Sequence, residues 1–532
     1  MPASSASRPA LHSAGLAVPR PLVIALLAVP ALWGLGQFWP PLNHDVGALL
    51  AFTRRMLAGE TLYTDLIDVN PPMVFWLNIP AVLLADALSI PTPQSFVATV
   101  LALTVASVAL TIRLAQPLMA QLGQVTQLLI ASMALFALNV LPAHSFGQRE
   151  HLLLILTLPY LVLTMTRLAG ATAQPAMVLD ITVAMLAAIG IALKPYFLLA
   201  PVMMEGLAMA RLGFTSLLHR VPLTILTALA AYLFAVLIAM PEYMGFVVPL
   251  VQDHYQSFSL AVIPALLMGD QVLPLTIAII GFSVLTRSVP SALAQPLLVW
   301  AVALTLAGFF QAKGWDYHFV AARGAVVILA GLALGALIDA MIDRRRVGTG
   351  ASAPVASAVA AVAALVWFLS GALAPPFAAQ VRYADSVTGR LATVVTERAG
   401  GRTVLWLSSS IHPQYPVLNH AGATSAMRWM SLWLLPALYA GPGDGSQRAN
   451  YRSPEAMGHA ENLLFRSIAA DIVRHRPALV VVQDAAREGA FRGVAFDYLD
   501  YFRRDPRFSV EWQSYRLLTQ IDGVRVYQRQ QP

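Results

Sequence analysis

The stretch Pro21–Gly47, PLVIALLAVPALWGLGQFWPPLNHDVG, joins an apolar segment directly to a polar motif. The apolar run has about 20 residues, which is the length that an α-helix needs to cross a bilayer. No small-residue cleavage site precedes Trp39-Pro40-Pro41, so the run is predicted to be an uncleaved first membrane span. Asn43-His44-Asp45 follows at once, and these polar residues are therefore predicted to lie at one face of the membrane.

The composition is that of a multi-span membrane protein. Of the 532 residues, 58% are hydrophobic and 11% carry a formal charge, and the mean hydropathy is +0.67. A soluble enzyme, a coiled coil and an intrinsically disordered chain are excluded, because soluble chains are nearer half apolar and a quarter charged. The absence of cysteine excludes disulfides, thiolate catalysis and zinc–thiolate sites. The net charge of +7 comes without a basic stripe interleaved with aromatics, so no nucleic-acid partner is expected.

The charge distribution divides the chain into a membrane part and a soluble part. Residues 375–532 are less than a third of the chain but hold about half of its charged side chains. The predicted fold class is a polytopic α-helical membrane protein of about 11 transmembrane helices with a C-terminal soluble α/β domain. The predicted domains are a cytoplasmic tail at 1–20, a membrane domain at 21–374 with an external loop at 41–95, and an external α/β domain at 375–532.

The direction of the chain through the membrane follows from its basic residues. The spans predicted after the first are 96–113, 123–143, 151–167, 178–193, 195–210, 221–241, 271–287, 292–311, 317–339 and 352–374. The stretch 73–90 is also apolar enough to cross. If it does not cross, one face collects ten arginines: Arg8, Arg20, Arg113, Arg167, Arg211, Arg220, Arg287, Arg344, Arg345 and Arg346. The positive-inside rule therefore predicts that 73–90 is an interfacial or re-entrant helix. The N-terminus is predicted to be cytoplasmic and the C-terminal domain periplasmic, in a bacterial inner membrane.

Four polar clusters gather at the external face in this topology. They are Asn43–Gly47, Tyr63–Pro72, Gly147–His151 and Gln311–His318, with Ala192–Tyr196 between the last two along the chain. Ionisable side chains at membrane depth are costly and by default indicate function. The alternative is that such side chains reach the interface without any further role.

The two lysines of the chain favour a functional interpretation. Lys194 and Lys313 stand beside other polar residues at the same face, in a chain that otherwise uses arginine. An interfacial or solvated role is the better interpretation for four other ionisable residues, Arg54, Arg55, Asp65 and Asp86. Ligand contact and a structural role are evenly weighed for two histidines and two aromatics, His151, His318, Trp315 and Tyr317.

The motifs of the first external loop resemble those of the GT-C membrane glycosyltransferases. Protein O-mannosyltransferases have Asp-Glu and then Asp-Val-His-Pro-Pro there, which His44-Asp45 and Asp68-Val69-Asn70-Pro71-Pro72 match in part. The lipid A aminoarabinose transferase has Leu-Thr-Lys-Gly-Pro and a late Lys-x-x-x-Tyr, which Ala192–Pro195 and Lys313–Tyr317 resemble. The resemblance covers residues 20 to about 340. Val46 stands where the mannosyltransferases have Glu and Asn70 where the aminoarabinose transferase has Lys, so the donor sugar and the acceptor stay open.

The resemblance implies transfer of a sugar from a polyprenyl-phosphate donor to an acceptor, which is a glycolipid, a glycan or a protein. It implies that Asp45 is the catalytic base, with Glu150 as a second carboxylate. A single displacement predicts inversion at the anomeric carbon. The residues implied to bind the donor phosphate or sugar are Lys194, Arg149, Lys313, His318, Tyr317, His44, Tyr63, Asp68, Asn70 and His151. No cofactor or metal is predicted, although a divalent ion between the two carboxylates is compatible with the chemistry.

The C-terminal domain is predicted to be a small α/β unit. Buried strands are predicted at Thr403–Ser408, Ala478–Gln483 and Gly523–Gln528, and a helix at 455–475. The region 409–450 is predicted to fold over the site, either as a structural cap or as an acceptor-binding element. Two other functions stay open. A transporter or flippase of lipid-linked sugars should show internal repeats and charges near the bilayer midplane, and a non-catalytic scaffold for envelope assembly needs neither.

Overall fold

The computed structural model describes residues 19–170, 176–255, 272–283, 289–342, 379–441 and 447–530. Its first part is a helical bundle. The helices are α1 (Arg20–Trp33), α2 (His44–Leu57), α3 (Pro72–Leu88), α4 (Thr92–Met119), α5 (Gln124–Asn139), α6 (Arg149–Leu168), α7 (Met177–Ile191), α8 (Leu199–Leu212), α9 (Arg220–Ala239), α10 (Val248–His254), α11 (Val272–Ser283), α12 (Ser291–Phe310) and α13 (Val320–Ile342). Short 3-10 turns cover Gly34–Phe38, Ala143–Ser145, Pro195–Leu198, Phe214–Leu218 and Asp316–Phe319, and a π turn covers Tyr243–Val247.

The bundle has the apolar helices of an integral membrane protein. Within the described ranges, six segments are long and apolar enough to cross a bilayer: Arg20–Phe38, Thr92–Met119, Arg149–Leu168, Arg220–Ala239, Ser291–Phe310 and Asp316–Ile342. Helices α3, α5 and α7 are apolar but shorter. The multi-span helical architecture is confirmed, but the count of about 11 spans is not established.

Five of the predicted spans account for this difference in number. Two of them, 123–143 and 178–193, correspond to the shorter helices α5 and α7. The stretch 195–210 divides after Pro195 into a 3-10 turn and the 14-residue helix α8. The stretch 271–287 is described only as α11, over Val272–Ser283. The stretch 352–374 lies outside the described residues, as do most of the tail at 1–20 and the arginines at 344–346.

Helix α2 begins shortly after the first span. Its start and its end are stabilised by side chains close to them in the sequence. The Asn43 side chain accepts a hydrogen bond from the Val46 N–H over 3.2 Å, which caps the helix. Asp45 lies in the first turn and Arg54 and Arg55 lie in the last, so the charges interact favourably with the helix dipole at both ends. This capped start places Asp45 at the end of the bundle.

Helix α3 starts and ends at the same end of the bundle as α2. It begins with Pro72 at its first position, where a missing N–H costs nothing. At its other end Asp86 accepts a hydrogen bond from Arg54 of α2 over 2.7 Å. Arg54 also donates to the Thr92 hydroxyl at the start of α4, again over 2.7 Å. The loop from Asn43 to Thr92 thus forms one layer across this end.

Helices α5 and α13 approach each other closely. A Cβ atom added at Gly335 would lie 2.4 Å from the Thr126 Cα, and one added at Gly331 would lie 2.8 Å from the Leu129 carbonyl oxygen. Two glycines four residues apart let the two backbones meet, as is common between membrane helices. This contact fixes α13, which begins beside the polar clusters.

The C-terminal part is an α/β unit around a five-stranded sheet. Its strands are β1 (Thr403–Leu407), β2 (Thr424–Ser425), β3 (Leu479–Gln483), β4 (Tyr515–Ile521) and β5 (Val524–Arg529), in the order β2-β1-β3-β5-β4. The first three are parallel, and β3-β5-β4 are antiparallel. Its helices are α14 (Val387–Ala399), α15 (Gln414–Ala421), α16 (Leu434–Tyr439), α17 (His459–His475), α18 (Ala485–Glu488), α19 (Tyr498–Phe502) and α20 (Pro506–Trp512). The three predicted strands and the predicted helix are present, whereas β2 and β4 were not predicted.

The α/β unit packs on the loop that carries the first polar motifs. The Ile67 N–H donates to the Arg428 carbonyl over 2.7 Å, and the Met430 N–H donates to the Ile67 carbonyl over 3.3 Å. The buried Arg55 donates to the Met427 carbonyl. The part of the region 409–450 around Met427–Met430 therefore lies against the loop at 41–95, at the end of the bundle where Asp45 lies.

Candidate active site

Asp45 is a carboxylate surrounded by donors and cations. Its Oδ2 atom accepts a hydrogen bond from Gln148 Nε2 over 2.8 Å and lies 3.6 Å from Arg149 Nη2, while His44 Nε2 lies 3.7 Å from Oδ1. Burial acts to raise the pKa of the Asp45 carboxyl, but the charges of His44 and Arg149 and the Gln148 hydrogen bond outweigh it and lower the pKa below its ordinary value. Asp45 is thus ionised at neutral pH.

Arg149 is held in place by the Asp68–Asn70 element. Asn70 Oδ1 accepts a hydrogen bond from Arg149 Nη1. Asp68 Oδ2 in turn accepts from the Asn70 backbone N–H over 2.7 Å and from Asn70 Nδ2 over 2.8 Å. The Tyr63 hydroxyl donates to the Asn70 carbonyl over 2.7 Å. Burial raises the pKa of the Asp68 carboxyl against these hydrogen bonds. The Asp-x-Asn motif therefore orients the arginine beside Asp45.

Lys194 forms a buried ion pair with the residue that follows Arg149. Its Nζ atom lies 2.6 Å from Glu150 Oε1 and 2.7 Å from Gln311 Oε1. Lys194 stands in the turn between α7 and α8, outside the helices themselves. Burial lowers the pKa of its ammonium group to about 8, against the opposing charge of Glu150. Consecutive residues of α6 thus connect Asp45 on one side to Lys194 on the other.

The Tyr317 ring lies beside both cations. Its centroid is 5.1 Å from Lys194 Nζ and 5.9 Å from Arg149 Cζ, within the range of a cation–π contact. The His318 ring packs against Tyr317 with a centroid distance of 4.4 Å, and His318 is buried. The short turn Asp316–Phe319 before α13 therefore brings an aromatic ring and an imidazole to the cluster.

Lys313 enters the cluster through Tyr255. Its Nζ atom donates to the Tyr255 carbonyl over 2.6 Å and lies 4.4 Å from the centroid of the Tyr255 ring. Burial lowers the pKa of Lys313 to about 8. Burial and the nearby charge of Asp45 raise the pKa of the Tyr255 hydroxyl. Lys313 thus contacts Tyr255, and the pKa of the Tyr255 hydroxyl is in turn affected by the charge of Asp45.

His151 is the one predicted site residue that the structure turns away from the others. Its Nδ1 atom accepts from the Gly147 N–H over 2.9 Å, and its Nε2 atom is 2.7 Å from the Leu138 carbonyl. The ring is fully buried and both nitrogens are used by the backbone. This is the structural role that the sequence left open, and it joins the loop before α6 to the end of α5.

Four polar atoms of the cluster are buried without a hydrogen-bond partner among the described residues. They are Gln148 Oε1, Arg149 Nε, Glu150 Oε2 and His318 Nδ1. Buried polar groups are nearly always paired, so several unpaired ones at one place mark where water or a ligand supplies the partner. The cluster offers a carboxylate that can take a proton and cations that can hold an anion. Among the described residues, no group of three His, Asp or Glu side chains is placed to hold a metal ion.

Three partners of the predicted residues were missed by sequence reasoning. Gln148 and Gln311 bond Asp45 and Lys194 directly. Both lie inside the polar clusters at Gly147–His151 and Gln311–His318, so their neighbours in the chain were the available signal. Tyr255 follows α10, and no motif around it indicates a role.

Comparison with known proteins gives a fold. No protein-family model and no curated protein matches the chain. Among solved structures, ArnT from Cupriavidus metallidurans bound to undecaprenyl phosphate is similar with a TM-score of 0.56 and 13% sequence identity, over 96% of this chain and 98% of that chain. The same ArnT in the apo state gives a TM-score of 0.52 and 13% identity, over 95% and 97% of the two chains. The chain therefore has the fold of ArnT, the lipid A aminoarabinose transferase fold that the resemblance to GT-C membrane glycosyltransferases predicts.

Proposed function

We propose that the protein is a glycosyltransferase that moves a sugar from a polyprenyl-phosphate donor to an acceptor at the external face of the membrane. The observation that carries the proposal is the buried cluster itself. It joins Asp45 to Arg149, and through the adjacent Glu150 to Lys194, at one end of an apolar bundle. A carrier with a lipid tail can bring its phosphate to such a cluster from the membrane. That an ArnT of the same fold is bound to undecaprenyl phosphate supports this class of carrier.

Asp45 acts as the general base in this proposal. A hydroxyl oxygen of the acceptor attacks the anomeric carbon as its proton passes to an Asp45 carboxylate oxygen. The bond between the anomeric carbon and the phosphate oxygen breaks, and its electron pair leaves with the polyprenyl phosphate. One displacement inverts the anomeric centre. A positioned base of this kind contributes about 10²–10⁴-fold to the rate.

The cations stabilise the phosphate that leaves. Arg149 and Lys194 flank Tyr317, and Lys313 stands beyond Tyr255. Buried cations act more strongly on developing charge than the same groups in water, and they need no reorganisation during the reaction. His318 is placed to donate a hydrogen bond to the phosphate or the sugar, while Tyr63, Asp68 and Asn70 hold Arg149 in place.

We place the protein in a bacterial inner membrane, with its N-terminus in the cytoplasm and its C-terminal domain in the periplasm. The basic residues on one face support this orientation. The acceptor is then a glycolipid, a glycan or a protein of the cell envelope. A function in moving lipid-linked sugars across the membrane is less well supported, because the charges lie at helix ends.

The experiment uses the full protein in lipid vesicles with labelled polyprenyl-phosphate sugars and a crude envelope glycolipid fraction. Transfer of label is expected from the wild type, and Asp45→Asn is expected to abolish it. Asp86→Asn is the matched control, since Asp86 is an exposed carboxylate at the same end of the bundle that pairs with Arg54. If Asp45→Asn transfers label as well as the wild type does, Asp45 is not the general base. If labelled lipid crosses the bilayer and no sugar is transferred, the flippase function is favoured.

A further inference from the structure

The carboxyl end of strand β1 in the C-terminal unit points toward the candidate site. Ser408 follows β1, and its carbonyl accepts a hydrogen bond from the Leu432 N–H over 2.8 Å. The two loops tied together there contact two different residues at the cluster. The His412 ring is 5.8 Å from that of His44, and the Trp433 ring is 5.3 Å from that of Tyr255. The unit therefore faces the cluster with residues from the edge of its sheet where ligands and contacts usually gather.

Two consecutive residues of this unit form hydrogen bonds to the backbone on either side of Asp45. His420 Nε2 accepts a hydrogen bond from the Leu42 N–H over 3.1 Å. Asn419 Nδ2 donates to the Gly47 carbonyl over 3.0 Å. Leu42 lies three positions before Asp45 and Gly47 two positions after it. Both bonds come from α15, so one helix fixes the backbone before and after the carboxylate.

The Asn419 side chain also packs closely against Gly47. A Cβ atom added there would lie 2.5 Å from Asn419 Oδ1 and 3.3 Å from Asn419 Cγ. Gly47 is in the helical part of α2, so its backbone conformation does not require glycine. The approach of the Asn419 side chain does, together with the Tyr415 Cβ atom at 3.3 Å. Burial lowers the pKa of His420 to about 4, so its ring is neutral and its Nε2 atom can accept the Leu42 bond.

We infer that Asn419 and His420 are positioning residues for Asp45, and that the C-terminal unit is thereby part of the catalytic apparatus rather than only a cap. The inference rests on the proposed function. Asp45 must keep its place near Arg149, 3.6 Å away, and near Gln148, 2.8 Å away. A displacement of about 1 Å in a reacting group costs roughly 10²-fold in rate. The hydrogen bonds from His420 and Asn419 at the two ends of the segment oppose such a displacement.

The first test compares Asn419→Ala and His420→Ala with Asn462→Ala in the transfer assay. Asn462 is the matched control, because its Nδ2 atom also donates to a backbone carbonyl, that of Pro454 over 3.1 Å, within the same unit but away from Asp45. The two positioning variants are expected to lower kcat by about 10- to 100-fold with an unchanged KM for the donor. Their acidic limb of kcat against pH should move to higher pH, because Asp45 loses part of the interaction that lowers its pKa. A purely structural cap would alter the amount of folded protein and leave this limb in place.

The second test uses the steric fit. Gly47→Ala is expected to lower kcat, and the double variant Gly47→Ala/Asn419→Ala is expected to lose less than the two single losses combined, since the nearest clash is with the Asn419 side chain. Contacting residues show such non-additive effects, whereas independent sites add. Additive losses in the double variant would overturn the inference.

Hydrogen exchange gives a readout that does not depend on transfer. Amides in a peptide covering residues 42–50 should exchange faster in Asn419→Ala and His420→Ala, but not in Asn462→Ala. If the wild type transfers no sugar while exchange rises, the proposed function fails and the positioning of the segment stands. If transfer occurs and both exchange and the acidic limb stay as in the wild type, the inference fails and the proposed function stands.

Discussion

Lys194 Nζ lies 2.6 Å from Glu150 Oε1, and both side chains are buried at the end of α6. Two charges removed from water tolerate burial only when each compensates the other, and removing one partner of such a pair costs about 3–5 kcal/mol. The pair therefore keeps a cation at the site before any anion arrives. Glu150 Oε2 has no hydrogen-bond partner among the described residues, so the pair is still open on one side.

Replacing Glu150 by Gln should lower transfer and move its alkaline limit to lower pH. Glu150 raises the pKa of Lys194 against the effect of burial, which lowers it to about 8. Without the carboxylate the pKa falls further, so Lys194 is neutral over more of the physiological range. The measurement is kcat/KM for the donor against pH. Glu205→Gln is the control, since Glu205 is a buried carboxylate paired with Arg167 over 3.1 Å elsewhere in the bundle. The same shift in both variants would contradict the role of Glu150.

Transfer by the wild type should fall as pH rises through about 8, and arginine at both lysine positions should remove this fall. Burial lowers the pKa of Lys194 and of Lys313 to about 8. Each is charged below that pH and neutral above it, so the stabilisation of the leaving phosphate is lost on the alkaline side. An arginine side chain stays protonated throughout. The double variant Lys194→Arg/Lys313→Arg is expected to lose some activity at pH 7, because arginine has a different shape. Its transfer activity, normalised to its own maximum, should nevertheless stay constant to higher pH than that of the wild type. If the activity of the double variant still falls near pH 8, the fall is caused by a group other than these two lysines.

Much of the candidate site could be predicted because its residues stand at the ends of helices. Charged groups are excluded from apolar spans, so sorting them by membrane face is enough to bring Asp45, Arg149 and Lys194 to one end of the bundle. The choice between ligand contact and structural support could not be made in this way. His151 follows Glu150 directly, yet its ring bonds the backbone at Gly147 and Leu138. That outcome depends on where α5 ends, which no local pattern states.

In the C-terminal unit, too, some strands can be predicted from the local sequence and others depend on contacts with distant residues. Buried apolar runs predict β1 and β3 because each is a continuous valine- and leucine-rich stretch. Strand β2 has two residues and exists only through its pairing with β1, so nothing local could predict it. A local signal for strand β4 is nevertheless present in the sequence. Asp522-Gly523 joins it to β5 with positive φ angles of 48° and 80°, as an Asp-Gly hairpin turn requires.

Gly335→Ala should destabilise the bundle. The added Cβ would lie 2.4 Å from the Thr126 Cα, which is backbone and cannot move without shifting α5. Overpacking of this kind costs about 1–3 kcal/mol. Thermal unfolding of the purified protein should therefore occur at a lower temperature. Gly206→Ala is the control, because nothing lies within 4 Å of a Cβ at this position in α8. It should leave stability unchanged or raise it slightly, since alanine favours a helix. Equal loss in both variants would mean that the α5–α13 approach is not the tight contact described.

The absence of cysteine makes the orientation directly testable by single-cysteine labelling. Val510→Cys places a thiol on an exposed position of α20, and Gln121→Cys places one in the exposed turn between α4 and α5, at the opposite end of the bundle from Asp45. A membrane-impermeant maleimide applied to intact spheroplasts should label Val510→Cys, whereas Gln121→Cys should react only after the membrane is opened. The unsubstituted chain, with no thiol, is the background. Because the C-terminal unit bonds the segment around Asp45 through His420 and Asn419, labelling at position 510 from outside also places Asp45 at the external face. The reverse pattern would put Asp45 and the cations in the cytoplasm, and a periplasmic acceptor could then not reach the base.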